Sequence, residues 1–177
     1  MTVKINKRLN LVLTVEMEDG RTVKVHSIPI SAEVFEKYFL SLSKTYASMI
    51  ENGGEWMVRS GPRTAKMMLK RVAEASGAWD APDGVKNGLL AEMRRLTTVL
   101  QPGPNGWEMV TYQEAVDRSF FSEEDVSEIE NSLTFFTACS VSMRRSEANE
   151  LLATVYGLLG SETTFSNAIE FMTSLTT

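Results

Sequence analysis

Apolar and polar residues alternate in two segments between positions 9 and 28 of the chain. Leucine, valine or methionine occupies every second position from 9 to 17, which is the period of a β-strand with one buried face. A second alternating segment, TVKVHSI, follows at 22–28, and the Asp-Gly pair at 19–20 is typical of a hairpin turn. The pattern therefore predicts an N-terminal β-hairpin.

The apolar positions also determine the register of this hairpin, because paired residues must share one face of the sheet. A two-residue loop at 19–20 would place Val23 on the face opposite Val15. A three-residue loop at 18–20, with Gly20 in the left-handed conformation, pairs Val15 with Val23 on the apolar face. We therefore predict a bulged hairpin, and since an isolated hairpin is marginally stable, a helix should cover its apolar face.

A long amphipathic helix is predicted directly after the hairpin, between Ser31 and the Asn-Gly-Gly triplet at 52–54. Ser31 is a suitable N-cap, and the triplet suits a left-handed C-terminal cap. Apolar residues recur at helical spacing in between, namely Phe35, Tyr38, Phe39, Leu42, Tyr46, Met49 and Ile50. We interpret this aromatic stripe as core that packs against the hairpin, in preference to the wall of a cofactor site.

The middle of the chain predicts further helices separated by turns. Pro62 suits the first turn of a second helix, which Gly77 ends. After a loop, a helix should restart at about Leu89 and run to Leu100. The QPGPNG segment at 101–106 then breaks the chain, and it is the only candidate for a boundary between subdomains.

The C-terminal part also predicts helices. Thr111 followed by Glu114, and Ser122 followed by Asp125, fit the pattern in which a hydroxyl and a carboxylate cap the first helical amides. The second of these helices carries Val126, Ile129, Leu133 and Phe136 on one face. Two more helices are predicted near 151–160 and 165–175.

Together these elements predict an α+β fold that is mainly α: an N-terminal β-hairpin packed on a long amphipathic helix, followed by a bundle of about five further helices. The hairpin and the first helices occupy residues 1–101. The C-terminal helical part, residues 102–177, should pack on the first part as one compact unit.

Composition and charge narrow the class of protein. The 177 residues are 43% hydrophobic and 23% charged, as in soluble globular proteins. The formal net charge of −5 argues against a nucleic-acid binder, and residues 1–80 carry +3 whereas residues 81–177 carry −8. This asymmetry is compatible with steering of a partner, with head-to-tail self-association, which we expect, and equally with a solvated surface. No apolar stretch is long enough for a membrane helix or a signal peptide, so a cytoplasmic protein is expected.

Few residues of this chain are suited to catalysis or to binding a metal or phosphate. His26, the only histidine, occupies a strand position that faces away from the Val23 side, and Cys139, the only cysteine, has the apolar neighbours of a helix core. One histidine and one distant cysteine do not form a usual zinc site, and no phosphate-binding glycine motif is present. We therefore predict no enzyme activity, no cofactor and no metal.

Aromatic residues near chain breaks are the candidates for contact with a partner protein. These are Trp107, Phe120 and Phe121, because exposed aromatic side chains often anchor protein interfaces. Phe121 has a second interpretation, which we prefer, as the apolar residue before the N-cap Ser122 that packs against its helix.

Several segments together resemble the tail assembly chaperones of long-tailed (siphovirus-like) bacteriophages. The resemblance covers most of the chain and is carried by INKRLNLVLTVEMEDGRTVKVHSIPISAEVFEKYF, GPRTAKMMLKRVA, GLLAEMRRLTTVL and NGWEMVTYQEAVDRSFFSEEDVSEIENSLTFFTA. It implies a protein made late in infection in the host bacterial cytoplasm. Such chaperones bind the tape measure protein, keep it soluble, promote assembly of tail tube protein around it, and leave before the virion is complete.

The resemblance also implies that a longer form can arise by ribosomal frameshifting. It carries no catalytic signature, so no site residue is transferred from the family. The alternative is a structural tail or adaptor protein that is retained in the virion.

Overall fold

The computed structural model describes residues 2–5, 10–17, 20–51, 54–103, 106–142, 147, 150–151 and 154. The elements of this described part, in chain order, are β1 (Thr2–Ile5), β2 (Leu11–Glu16), β3 (Thr22–Ser27), α1 (Ala32–Glu51), α2 (Gly54–Ala75), α3 (Leu90–Arg95), β4 (Thr97–Gly103), β5 (Gly106–Thr111), α4 (Tyr112–Asp117) and α5 (Glu123–Ser142). A π-helical turn, Val85–Leu89, leads into α3.

The predicted hairpin and its register are confirmed. Val15 lies opposite Val23 in the antiparallel pair of β2 and β3. The N–H of Met17 donates to the carbonyl of Arg21 at 2.8 Å, which closes a loop of three residues. Gly20 has φ +80°, the left-handed conformation that such a loop requires.

The hairpin is, however, part of a larger sheet, and the predicted fold of one hairpin followed only by helices is wrong. Five antiparallel strands pair in the order β1-β2-β3-β4-β5, and the last two follow α1, α2 and α3 in the chain. The helix expected to reach Leu100 ends at Arg95. From there Thr97, Thr98 and Val99 continue as a strand that pairs with β3, because β-branched side chains fit a pleated, half-buried surface.

The QPGPNG segment spans the junction of β4 and β5, because Gln101, Pro102 and Gly103 end β4 and Gly106 begins β5. Gly103 lies opposite Gly106, and Pro102 lies opposite Trp107. Pro102 is tolerated in β4 because the pairing of β4 with β3 ends at Leu100. The boundary predicted after residue 101 therefore falls inside β4. Elements from both predicted parts share one sheet and one hydrophobic core, in which Val25, Val99 and Phe136 are all buried.

The helix that covers the hairpin is also not the predicted one. Instead of lying on the hairpin, α1 packs mainly against α2 and α5, and it is α5 that contacts β2. Every residue of α5 from 129 to 139 is buried, so this helix has neighbours all around it in place of one apolar face. Its position between the sheet and the helix pair α1 and α2 makes it the centre of the core.

Helix ends follow the capping residues seen in the sequence. The Ser31 hydroxyl accepts the N–H of Val34 at 3.3 Å, and the Thr111 hydroxyl accepts the N–H of Glu114 at 3.2 Å. At the start of α5, the N–H of Asp125 donates to the hydroxyl of Ser122 at 3.1 Å, while the Asp125 carboxylate accepts the N–H of Ser122. These three predicted caps are confirmed.

The second helix begins earlier than predicted. It starts at Gly54, so that Pro62 lies inside it and not in its first turn. It ends as expected, because Gly77 has φ +68° and the N–H groups of Gly77 and Ala78 donate to the carbonyls of Glu74 and Ala73. The predicted helices at 151–160 and 165–175 lie outside the described residues, except that Leu151 and Thr154 are helical.

Candidate protein-binding surfaces

Large apolar side chains are exposed in two regions of the described surface. The outer side of α1 carries Phe39 and Leu40, which are 49% and 69% exposed, and the outer face of the sheet carries Trp107 and Met109 on β5. Ile28, Ile50 and Met67 are also exposed. Clusters of this kind mark surfaces at which proteins bind one another.

Beside Phe39 and Leu40 lies a groove of about 440 Å³, bordered by α1, the C-terminal end of α2 and the loop that follows α2. Its apolar lining comes from Phe39, Leu40, Val72, Ala78 and Val85. A second hollow of about 280 Å³ extends from it toward the C-terminal end of α1. Both hollows are lined by Lys44, Val72 and Ser76, so together they follow much of the length of α1.

Tyr38 holds the loop that forms one wall of this groove. Its ring is buried, and its hydroxyl donates to the backbone carbonyl of Asp83 at 3.0 Å. The ring passes directly over Gly88, where an added Cβ would lie 1.7 Å from the Tyr38 oxygen. Because Tyr38 points into the core, the next two residues of α1 are turned toward solvent.

Charges of both signs surround the groove. Glu36 and Lys44 are exposed on α1, and Lys37 Nζ lies 3.4 Å from the Asp83 carboxylate across the groove. Charged residues of either sign that flank an apolar segment of a partner can therefore pair with an opposite charge at the edge of this groove.

The three aromatic residues proposed from the sequence as partner contacts differ in their exposure to solvent. Trp107 is 40% exposed on β5, with Lys24 Nζ 5.8 Å from its ring centroid. Phe120 is half-buried, and the Arg21 guanidinium lies 5.3 Å from its ring centroid. Phe121 is 7% exposed and packs on Tyr112 of α4. Exposure therefore favours Trp107 as a contact residue, while the role of all three in binding stays a prediction.

The exposure of Phe39 and Leu40 was not predicted from the sequence. Phe39 falls within the stripe predicted to be core, although together with the adjacent Leu40 it makes the apolar stripe wider than one helix face. Such width is a signal of a second contact surface. Only the position of α2 and α5 shows which part of the stripe is core.

A buried ion cluster connects α2, α3 and α5. The side chain of Glu130 is 4% exposed, and its carboxylate accepts hydrogen bonds from Lys66 Nζ and from Arg94 Nε, the latter at 2.8 Å. The Asn131 side chain next to it accepts the backbone N–H of Lys66 at 3.0 Å. These contacts satisfy a buried charge and fix the relative positions of three helices.

Burial shifts the pKa values of other side chains, among them Tyr112, Cys139 and His26. The Tyr112 hydroxyl is buried and has no hydrogen-bond partner among the described residues, and burial raises its pKa. Burial also raises the pKa of Cys139, which is fully buried, so the prediction of a packed core cysteine is confirmed. His26 faces away from the Val23 side as predicted, and burial lowers its pKa.

In the part of the chain that the structure describes, no three His, Cys, Asp or Glu side chains are grouped closely enough to hold a metal ion. No helix within that part combines the length and the apolar character needed to span a membrane. Comparison with protein families, with curated proteins and with solved structures finds no match for this chain.

Proposed function

We propose that this chain is a non-enzymatic assembly chaperone of a bacteriophage tail, which binds the tape measure protein in the host bacterial cytoplasm and promotes assembly of tail tube protein around it. The identity of the system comes from the resemblance of the sequence. The observation that carries a binding role is the groove beside α1, where Phe39 and Leu40 are exposed.

The chemistry of this groove suits a helical client. An amphipathic helix places apolar side chains three and four positions apart, so that two or three of them can enter one elongated hollow. The groove and the hollow next to it follow α1 and offer such an apolar floor, while Glu36, Lys37 and Lys44 can contact polar residues at the sides of the bound helix. Tape measure proteins, which the resemblance names as clients, are long and depend on being kept soluble.

Co-expression with a tape measure protein from the same genome tests this function. We expect a soluble complex that co-purifies on a tag placed on this chain, whereas the tape measure protein alone is insoluble. Recovery of tail tubes should increase when all three proteins are made together. An insoluble tape measure protein with and without this chain would contradict the proposal.

Purified virions distinguish the chaperone from the alternative. A chaperone is absent from mature particles, because it leaves as tail tube protein covers the tape measure protein. Stoichiometric detection of this chain in virions by mass spectrometry would instead identify a structural tail or adaptor protein.

A further inference from the structure

Strand β5 forms one edge of the described sheet and is exposed along nearly its whole length. It pairs with β4 through Thr111, Val110, Met109, Glu108, Trp107 and Gly106. Of these six residues only Val110 is half-buried, and the other five are exposed. Side chains on both faces of the strand are therefore accessible, in addition to its edge.

Of the features with which proteins usually prevent pairing between edge strands, β5 carries one, the charged side chain of Glu108. The segment GWEMVT contains no lysine and no proline, and its register with β4 is continuous from Thr111 to Gly106, without a bulge. Trp107 and Met109 add apolar surface to the outer face. An exposed, regular and apolar edge is a template for another strand.

We propose that β5 pairs with β5 of a second copy of this chain, so that two five-stranded sheets join into one antiparallel sheet across a twofold axis. A second copy fits because the strand can pair with itself in a register that keeps like charges apart. Pairing of β5 with its copy requires only this chain, so it does not depend on the identity of the client.

The acidic residue excludes one register and is compatible with another. A twofold axis at Glu108 would place the two Glu108 carboxylates directly opposite each other, which is unfavourable for like charges. An axis at Met109 pairs Met109 with its own copy, Trp107 with Thr111, and Glu108 with Val110. All apolar contacts are then kept and the carboxylates are separated.

This register also extends the outer face of the sheet. Lys24, Leu100 and Met109 already form a row across β3, β4 and β5. In the pair of chains, the two Leu100 and two Met109 side chains form one continuous apolar row with a Lys24 at each end. Cross-strand neighbours of this kind are the main stabilising contacts of a sheet.

The expected result is a dimer of the purified chain in sedimentation equilibrium and light scattering. Met109→Lys should convert it to a monomer, because two lysines would meet at the axis, while its circular dichroism spectrum stays that of the folded chain. Met67→Lys is the matched control, since Met67 is an exposed methionine on α2, and it should stay dimeric. A monomeric wild-type chain, or a Met109→Lys variant that stays dimeric, would overturn the proposal.

A cysteine variant tests the register independently of any loss of folding. Directly opposed residues of antiparallel strands have Cα atoms about 4.5 to 5.5 Å apart, a separation that a disulfide can bridge. Met109→Cys should therefore form a covalent dimer under mild oxidation, whereas Met67→Cys should not, and the buried Cys139 should not contribute. Efficient crosslinking by Glu108→Cys in place of Met109→Cys would refute this register.

Discussion

Arg94 and Glu130 are 36 residues apart in the sequence, yet Arg94 Nε and one terminal guanidinium nitrogen lie 2.8 and 2.7 Å from the same carboxylate oxygen of Glu130. The carboxylate is nearly inaccessible to water, whereas the guanidinium is partly exposed. This ion pair attaches the short helix α3, which leads into β4, to the central helix α5.

Replacement of Arg94 should therefore lower the free energy of unfolding. Arg94→Ala leaves Glu130 buried with Lys66 as its remaining cation, and we expect the free energy of unfolding to fall by about 3 kcal/mol, as for other broken buried pairs. Urea denaturation measures this change. The neighbouring Arg95 pairs with Glu92 at the surface, so Arg95→Ala should have little effect. Equal losses for both variants would contradict a special role of the buried pair.

Ser119 offers a stabilising substitution. It ends α4 with φ +53°, and the N–H groups of Ser119 and Phe120 donate to Val116 and Ala115, in the arrangement that Gly77 and Ala78 adopt after α2. Because this conformation suits glycine, Ser119→Gly should raise the free energy of unfolding by about 0.5 to 1 kcal/mol.

The converse substitution provides the control for this prediction. An added Cβ at Gly77 meets no atom within 4 Å, so Gly77→Ala tests backbone strain alone. We expect it to lower the free energy of unfolding by about 1 kcal/mol in the same denaturation experiment. A stabilising effect of both variants, or of neither, would show that the two helix ends are not equivalent.

His26 should make stability depend on pH near neutrality. Burial lowers the pKa of folded His26 below its ordinary value of 6.5, so the unfolded chain takes up a proton at a higher pH than the folded chain does. The free energy of unfolding should therefore fall as the pH drops from about 7.5 to about 5.5. His26→Thr, which places a non-titrating residue with good strand propensity in β3, should flatten this dependence, and an unchanged slope would refute the assignment to His26.

Leu40 should be needed for client binding and dispensable for folding. It is 69% exposed at the groove, so Leu40→Glu adds a charge where an apolar side chain of the client would bind. We expect loss of the co-purified tape measure protein with an unchanged melting temperature. Met67→Glu changes another exposed apolar residue outside the groove and should retain the client. Loss of the client from both variants, or from neither, would argue against this groove.

Short-range features were predictable from the sequence. The pairing of Val15 with Val23, the left-handed Gly20, the cap of α5 at Ser122 and the end of α2 near Gly77 all depend on residues within a few positions of one another. The hairpin pair must share one face of the sheet, the first amides of α5 need a hydrogen-bond acceptor, and the turn and helix end need a residue that tolerates a positive φ. Each of these local requirements excludes other structures of the same residues.

The prediction of one helix from Leu89 to Leu100 is wrong beyond Arg95. The apolar spacing of this segment fits a helix, and only the contact with a partner strand favours a strand from Thr97 onward. Val99 is fully buried opposite Val25, 74 positions earlier in the chain, and this contact makes the strand the better solution. Local spacing contains no information about a partner at that distance.

The amino-acid sequence alone determined the N-terminal hairpin, the helix caps, the burial of Cys139 and the scarcity of residues suited to catalysis. Only the tertiary structure decided that β4 and β5 extend the sheet, that residues 129–139 of α5 are buried on all sides, and that Phe39 and Leu40 border a groove. The reason is that burial and pairing of these residues depend on contacts between segments distant in the chain, whereas turns and caps are stabilised by their immediate neighbours.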